Sequence, residues 1–381
     1  MDSRAPRIAA AALAFIGLIG VGAARADVSV TDVGAWKAAQ RAANSQKKGE
    51  KRARQTRPSA AGKVSALATG SQTLIDASGL EFFINTDITE TTMSSASGAA
   101  SEASYTGPVQ ATTSGGGTVS STLSDAFDGY NSLWFSQTQT GQPDTENAAF
   151  VPYNENGAAS LDATCAGRQI LFPNQTIYGL TVSRRVFVPA NDTFARWATI
   201  LTNPTAGAIT VNVISANNLG SDSNTRIDTT ASGDAAATVA DTWVSTWQNY
   251  SGTISADPRL AHVLWGPGGI GPNAVTFADG DDNPTWSIPV TVPAGETRIL
   301  LHFVTGQPSK AAARAKAAQI AANPLPPTAA ACLTDLERTQ LVNFAATAAG
   351  EAPIPALGGA GLLALVAAIA GAGLLAHRRL L

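Results

Sequence analysis

A chain of 381 residues carries a formal net charge of −3, and only 14% of its residues are Asp, Glu, Lys or Arg, well under the usual quarter. That balance excludes a nucleic-acid binder as a whole. Thr, Ser, Asn, Gly and Ala fill the difference, a mix suited to an extracellular β-protein with uncharged polar faces, and the length allows one large domain or two ordinary ones.

Residues 1–26 read as a secretory signal peptide for the Sec pathway. Arg4 and Arg7 form a positive start, Ile8 to Ala24 is apolar, and Ala24-Arg25-Ala26 places small residues where signal peptidase cuts. The alternative is an uncleaved anchor. Residues 27–70 form a basic arm: between Lys37 and Lys63, the cations Lys37, Arg41, Lys47, Lys48, Lys51, Arg52, Arg54, Arg57 and Lys63 stand against Glu50. Such a run reads as a solvated linker or as an attraction to an anionic surface. Thr, Ser, Ala and Gly dominate 91–121, which predicts a long loop.

From 71 to 307 the chain reads as one β domain. Strand runs appear at Phe82–Ile84, Ser132–Phe135, Thr242–Trp247, Ala261–Trp265, Trp286–Val292 and Arg298–Val304. Three more, between Thr176 and Asp222, are joined by short turns and predict an antiparallel meander. The middle run is apolar on both faces (Trp197 and Leu201 against Phe194 and Ile200), which places it at the centre of a sheet. Pro289 in the Trp286–Val292 run argues for an edge or bulged strand. The fold class is therefore mainly β, a large antiparallel β-sandwich of supersandwich-like size. A helical segment over 308–350 follows: Ser309 to Ala322 is one helix, and Thr334-Asp335-Leu336-Glu337 is a capping box opening a second through Ala349. Leu336, Leu341 and Phe344 would pack that second helix on the sheet, and the alternative is a spacer helix.

Asp128-Gly129-Tyr130-Asn131, Arg184-Arg185-Val186-Phe187-Val188-Pro189, Phe194-Ala195-Arg196-Trp197, Asn217-Asn218-Leu219-Gly220-Ser221-Asp222 and Ser232-Gly233-Asp234 resemble a β-sandwich region of secreted bacterial surface proteins, over roughly residues 120–345. The resemblance brings no catalytic activity and implies structural roles for these motifs.

Four constellations are candidates for chemistry. Asp279, Asp281, Asp282 and Asn283 offer clustered oxygens of the kind calcium takes, without the full EF-hand spacing; Asn217–Asn224 is a second, sparser loop. His262 and His302 lie in strands, where a pair meeting across a sheet would suit acid–base work, as in sugar-epimerising sandwiches, or would be ordinary strand residues. Trp243, Trp247, Tyr250, Trp265 and Trp286 would line a sugar-binding face or fill a core. Cys165 and Cys332, two cysteines in an exported chain, predict a disulfide.

The segment 353–381 closes the sequence. Ala356 to Ala376 is uncharged and long enough to cross a bilayer as a helix, and Arg378 and Arg379 form the cationic stop. Pro353-Ile354-Pro355-Ala356-Leu357, the apolar span and the Arg pair resemble IPTL-type C-terminal sorting signals of bacteria, relatives of the PEP-type tails, although Ala356 stands where Thr is usual. The resemblance implies a transmembrane helix and an envelope processing protease as partner; a plain single-span anchor is the alternative. The combined expectation is an exported, envelope-sorted surface or matrix protein that is structural or adhesive and not an enzyme. The alternatives are a carbohydrate-binding module with polysaccharide as partner and a mutarotase-like sugar-active enzyme.

Overall fold

The computed structural model describes residues 71–345 apart from 86–101, 106–107, 113–117, 123–126, 128, 144–146, 155–158, 220, 222–223 and 249–258. The expected signal peptide, basic arm and C-terminal tail lie outside the described residues.

The chain opens with β1 (Ser71–Ile75), β2 (Leu80–Asn85), β3 (Glu102–Tyr105), β4 (Pro108–Thr112) and β5 (Thr118–Thr122). The last three occupy the stretch expected to be a loop: its Thr and Val residues pair strand to strand, β4 with β5 and β3 with β2. Then come β6 (Gly129–Ser136), β7 (Val151–Pro152), β8 (Ser160–Leu161), β9 (Gln169–Ile177), β10 (Leu180–Phe187), β11 (Ala195–Thr202) and β12 (Ile209–Asn218). The body ends with β13 (Thr225–Thr230), β14 (Trp243–Gln248), β15 (Arg259–Val263), β16 (Ala274–Thr276), β17 (Thr285–Val292) and β18 (Thr297–Gln307).

These strands form two large antiparallel sheets. One has eight strands in the order β13-β14-β15-β18-β11-β10-β9-β8, the other five in the order β16-β17-β12-β6-β7. The middle run, β11, lies between β10 and β18 and is buried on both faces except at its last residue, as its two apolar faces require. The expected three-strand meander is only a hairpin. After β11 the chain turns at Asn203 and crosses to the other sheet, where β12 pairs β17 and β6. Period-2 patterning assigns the faces of β12 but carries nothing about which strand it joins. Pro289 sits where β17 has β12 on one side and β16 reaches only Thr285–Ser287 on the other, so its missing N–H is tolerated.

The alternation of β18 separates two cores. Leu300 and Val304 point into the main core shared with Phe135, Val213, Ile288 and Val290 of the five-stranded sheet. Ile299, Leu301 and Phe303 point the other way, into a second core roofed by helix α1 (Lys310–Ile320) and the segment that follows it. Ser309 caps α1, and Ala313, Ala317 and Ile320 give it one buried stripe.

The capping box at Thr334 forms as expected, but its helix, α2 (Asp335–Thr339), stops ten residues before Ala349. Leu336 is 67% exposed rather than packed. The sheet takes over here. Gln340 and Val342 exchange backbone hydrogen bonds with Ile299 beyond the end of β15, while Gly266 and Ile270 donate to Asn343 and Val342. Leu341 thus forms an isolated parallel bridge to Ile299 beside β18, and Leu341 and Phe344 do pack on the second core. The insertion is tight: a Cβ on Gly269 would lie 2.2 Å from the backbone carbon and oxygen of Asn343.

Candidate functional site

The inward parity of β18 that points Leu300 and Val304 at the main core also points His302 there, and β15 does the same with Leu260 and His262. Opposite them, β6 supplies Tyr130. Its hydroxyl lies 2.7 Å from His262 Nδ1 and 2.9 Å from His302 Nε2, so one phenol bridges two imidazoles across the gap between the sheets. Thr246 Oγ1 of β14 closes the far end at 3.2 Å from His262 Nε2. Tyr130 and His262 are fully buried, while His302 is half-buried.

Aromatic rings enclose this chain of four side chains. Phe127 stacks on Tyr130 at 4.4 Å, Trp197 meets it edge-on at 5.2 Å, and Trp286 lies 5.5 Å from His262 and 5.6 Å from His302. Beside it the buried Arg184 donates to Asn131 Oδ1, and Asn131 donates onward to Ser215, which joins β10 to β6 and β12.

Burial sets the protonation. It pushes His262 down to about 3, and it pushes His302 well below its ordinary value with help from His262 and Arg184. The same burial raises the Tyr130 phenol well above its usual range. All three groups are therefore neutral at pH 7, and a phenol has one proton to donate. Tyr130 can give it to one imidazole only and must accept from the other. Because it meets Nδ1 of His262 and Nε2 of His302, the two rings hold the same tautomer, both Nε2–H when Tyr130 donates to His262 and both Nδ1–H when it donates to His302. Among the described residues no carboxylate bonds to either ring. Each imidazole is thus a good hydrogen-bonding group but a weak base at neutral pH, since a general base works best with a pKa near the operating pH.

A second polar constellation lies on the outer face. Arg196, fully buried, donates through Nη1 to the carbonyls of Ala329 (2.8 Å) and Ala331 (2.6 Å) and through Nη2 to Gln169 Oε1 (3.2 Å), and its guanidinium lies 4.7 Å from the Phe187 ring centroid. Burial first, then Arg185, lowers Arg196 to about 9. Asn343 accepts from Leu301 N and donates to the carbonyls of Leu264 and Leu301. Cys165 and Cys332 are joined in a disulfide with Cα atoms 5.7 Å apart.

The other candidates disperse. Asp279 Oδ1 accepts from Ile227 N at 2.7 Å, Asp281 Oδ1 from Asn283 N at 2.9 Å, and Asp282 Oδ1 from Asn283 Nδ2 at 2.5 Å. These oxygens hold the loop to itself and to β13, and Leu219 N bonds Asp282 O, tying in the Asn217–Asn224 loop. Among the described residues no group of three or more His, Cys, Asp or Glu is placed to hold a metal. Trp286 is core, Trp265 donates to Asp241 O, and Trp247 lies under Lys310 Nζ at 3.4 Å, while Tyr250 lies outside the described residues. Among the described residues no helix is long and apolar enough to cross a membrane. Sequence reasoning singled out His262 and His302 but not the Tyr130 bridge or Thr246. The motif Asp128-Gly129-Tyr130-Asn131 is the available signal, and the resemblance implies for it only a structural role.

No protein-family model matches the sequence, and no curated protein is similar to it. Solved structures similar in arrangement include a polysaccharide lyase (10% identity, TM-score 0.35, 67% of this chain and 35% of that one). Another is described as a kojibiose phosphorylase from the human microbiome (10% identity, TM-score 0.36, 65% and 33%). A third is a TPR-domain-containing protein from Parabacteroides distasonis (11% identity, TM-score 0.31, 60% and 46%). The chain spans about a third to a half of the length of these three.

Proposed function

We propose that this is an exported surface or matrix protein of a bacterial envelope, with a β-sandwich as its rigid body and a C-terminal sorting tail, acting structurally or adhesively and not as an enzyme. The observation that carries this reading is the way the chain is fastened just before that tail. The Cys165–Cys332 disulfide, the Arg196 contacts to Ala329 and Ala331, and the backbone bonds of 340–343 beside β18 all fall in the stretch from Ala329 to Asn343, shortly before Pro353. A disulfide suits an oxidising compartment outside the cytoplasm. A sheet that grips the segment leading to an anchor can bear a load applied there.

In this reading Pro353, Ile354, Pro355 and Leu357 present an extended backbone to an envelope processing protease. The 356–376 span holds the chain in the membrane, and Arg378 and Arg379 stay cytoplasmic. Polysaccharide is the partner consistent with an adhesive matrix role. The test is surface labelling of intact cells combined with C-terminal sequencing of the mature protein. Labelled protein ending upstream of Ala356 supports the reading; recovery of intact Leu381 would replace the sorting signal with a permanent anchor.

A sugar-active enzyme is the second reading, favoured by the hydrogen-bonded pair of His262 and His302. It requires that His302→Ala abolish turnover of a saccharide while leaving the thermal midpoint nearly unchanged. The suppressed basicity of both rings weighs against it.

A further inference from the structure

We propose that the seam at Tyr130 is an acid-operated release: when His262 and His302 both take up a proton, the two sheets part there while the outer layer stays fastened. In the neutral network Tyr130 donates one hydrogen bond and accepts one, and His262 completes its set with Thr246. Once both rings are protonated, Nδ1 of His262 and Nε2 of His302 each carry a hydrogen aimed at the same phenolic oxygen. Tyr130 can accept both but then has no imidazole left to receive its own proton.

Two cations also meet within reach of one oxygen, His262 fully buried and His302 partly so. The groups packed against them do not compensate: β11 and β17 contribute Trp197 and Trp286, β14 contributes Thr246, and β10 contributes Arg184, itself a cation. Tyr130 is the remaining titratable group, and its burial holds it protonated. Among the described residues no carboxylate pairs with either ring.

Position makes this a seam rather than a general weakness. Tyr130 belongs to the five-stranded sheet and both histidines to the eight-stranded one, so the two hydrogen bonds that protonation disturbs are bonds between the sheets, while the repulsion of the two imidazolium rings falls within the eight-stranded sheet. The outer layer is attached to the opposite face of the eight-stranded sheet by the disulfide, Arg196 and Asn343, none of which titrates between pH 4 and 7. Ion pairs of Lys316 with Asp192 and of Lys310 and Arg314 with Asp228 attach it as well; there burial is outweighed by these hydrogen-bonded cations, which hold both carboxyls below the ordinary carboxylate range.

The sign follows from linkage. Folded pKa values below the unfolded value of about 6.5 give a stability that is complete above that pH and is lost as pH falls toward the folded values. Each ring costs about tenfold in the folded-to-open ratio per pH unit, so the pair costs about a hundredfold.

The test uses the exported mature protein and the tryptophan fluorescence of the core as pH falls from 7 to 4. Glutamine at 302 reproduces an acceptor in place of Nε2 and asparagine at 262 one in place of Nδ1, without a titrating group. The wild type is expected to show the hundredfold slope, and His302→Gln and His262→Asn each the tenfold one. Equal slopes in all three proteins would overturn the proposal. If the variants do not fold, the C2-proton NMR titration of the wild type decides: two imidazoles titrating near 6.5 in the folded state would overturn it, and two remaining neutral until the seam opens would support it.

Discussion

The two polar regions of this molecule lie on opposite faces of the same sheet and are built on opposite principles. Between the sheets, Tyr130, His262, His302 and Thr246 hold together by sharing protons among neutral groups. Outside, the segment 329–344 is held by a covalent bond, a buried guanidinium on backbone carbonyls, and an asparagine that mimics a strand. The first depends on the solvent proton concentration and the second on redox state and shape. Acid and reductant should therefore dismantle the molecule from different sides.

Removing the disulfide tests the outer region most severely. The bond closes a loop of sequence separation 167, for which chain entropy gives a stabilisation of about 5 kcal/mol. Cys165→Ala with Cys332→Ala should lower the denaturant midpoint accordingly without moving the acid slope. Next in size is Gly269→Ala, whose Cβ would meet the Asn343 backbone at 2.2 Å. It should cost about 3 kcal/mol or more and speed hydrogen exchange at Ile270 and Val342, which bond across that contact.

Tyr130→Phe is the corresponding cut on the inner side. It keeps the ring and leaves His262 Nδ1 and His302 Nε2 without their shared partner, a loss of roughly 1–3 kcal/mol in urea unfolding at pH 7. The loss should be about the same in the disulfide-free background, because the two regions lie on opposite faces of the eight-stranded sheet. The smallest effect belongs to the acidic loop. With Asp279 and Asp281 engaged by backbone amides, millimolar calcium should move the thermal midpoint by less than about 2 °C. A large rise abolished by Asp281→Ala would show a metal site.

The legibility of these regions in the sequence was uneven for physical reasons. Phe194, Trp197, Ile200 and Leu201 announced a strand buried on both faces, because burial is written residue by residue along a strand. The departure of β12 to the other sheet was not legible, since its alternation is satisfied by any apolar partner. The capping box at Thr334 marked a helix start correctly, but no local signal marked its early end. Asn343 ends it by giving Leu301 and Leu264 hydrogen bonds that a helix would withhold. The histidines could be suspected from their strands. The bridge could not, because Tyr130 lies 132 residues from His262 and 172 from His302, and only the stacking of two sheets brings them together.

Native-state hydrogen exchange at pH 7 and pH 4.5 on the oxidised protein tests the separation of the two regions most directly. The amides of β6 and of β12, which pair within the five-stranded sheet, should lose protection at pH 4.5, after correction for intrinsic rates. Those of Ile299, Leu301 and Val342, bonded within the outer insertion, should keep theirs. Simultaneous loss of protection in both sets would contradict the account, because seam and clamp would then be one cooperative unit.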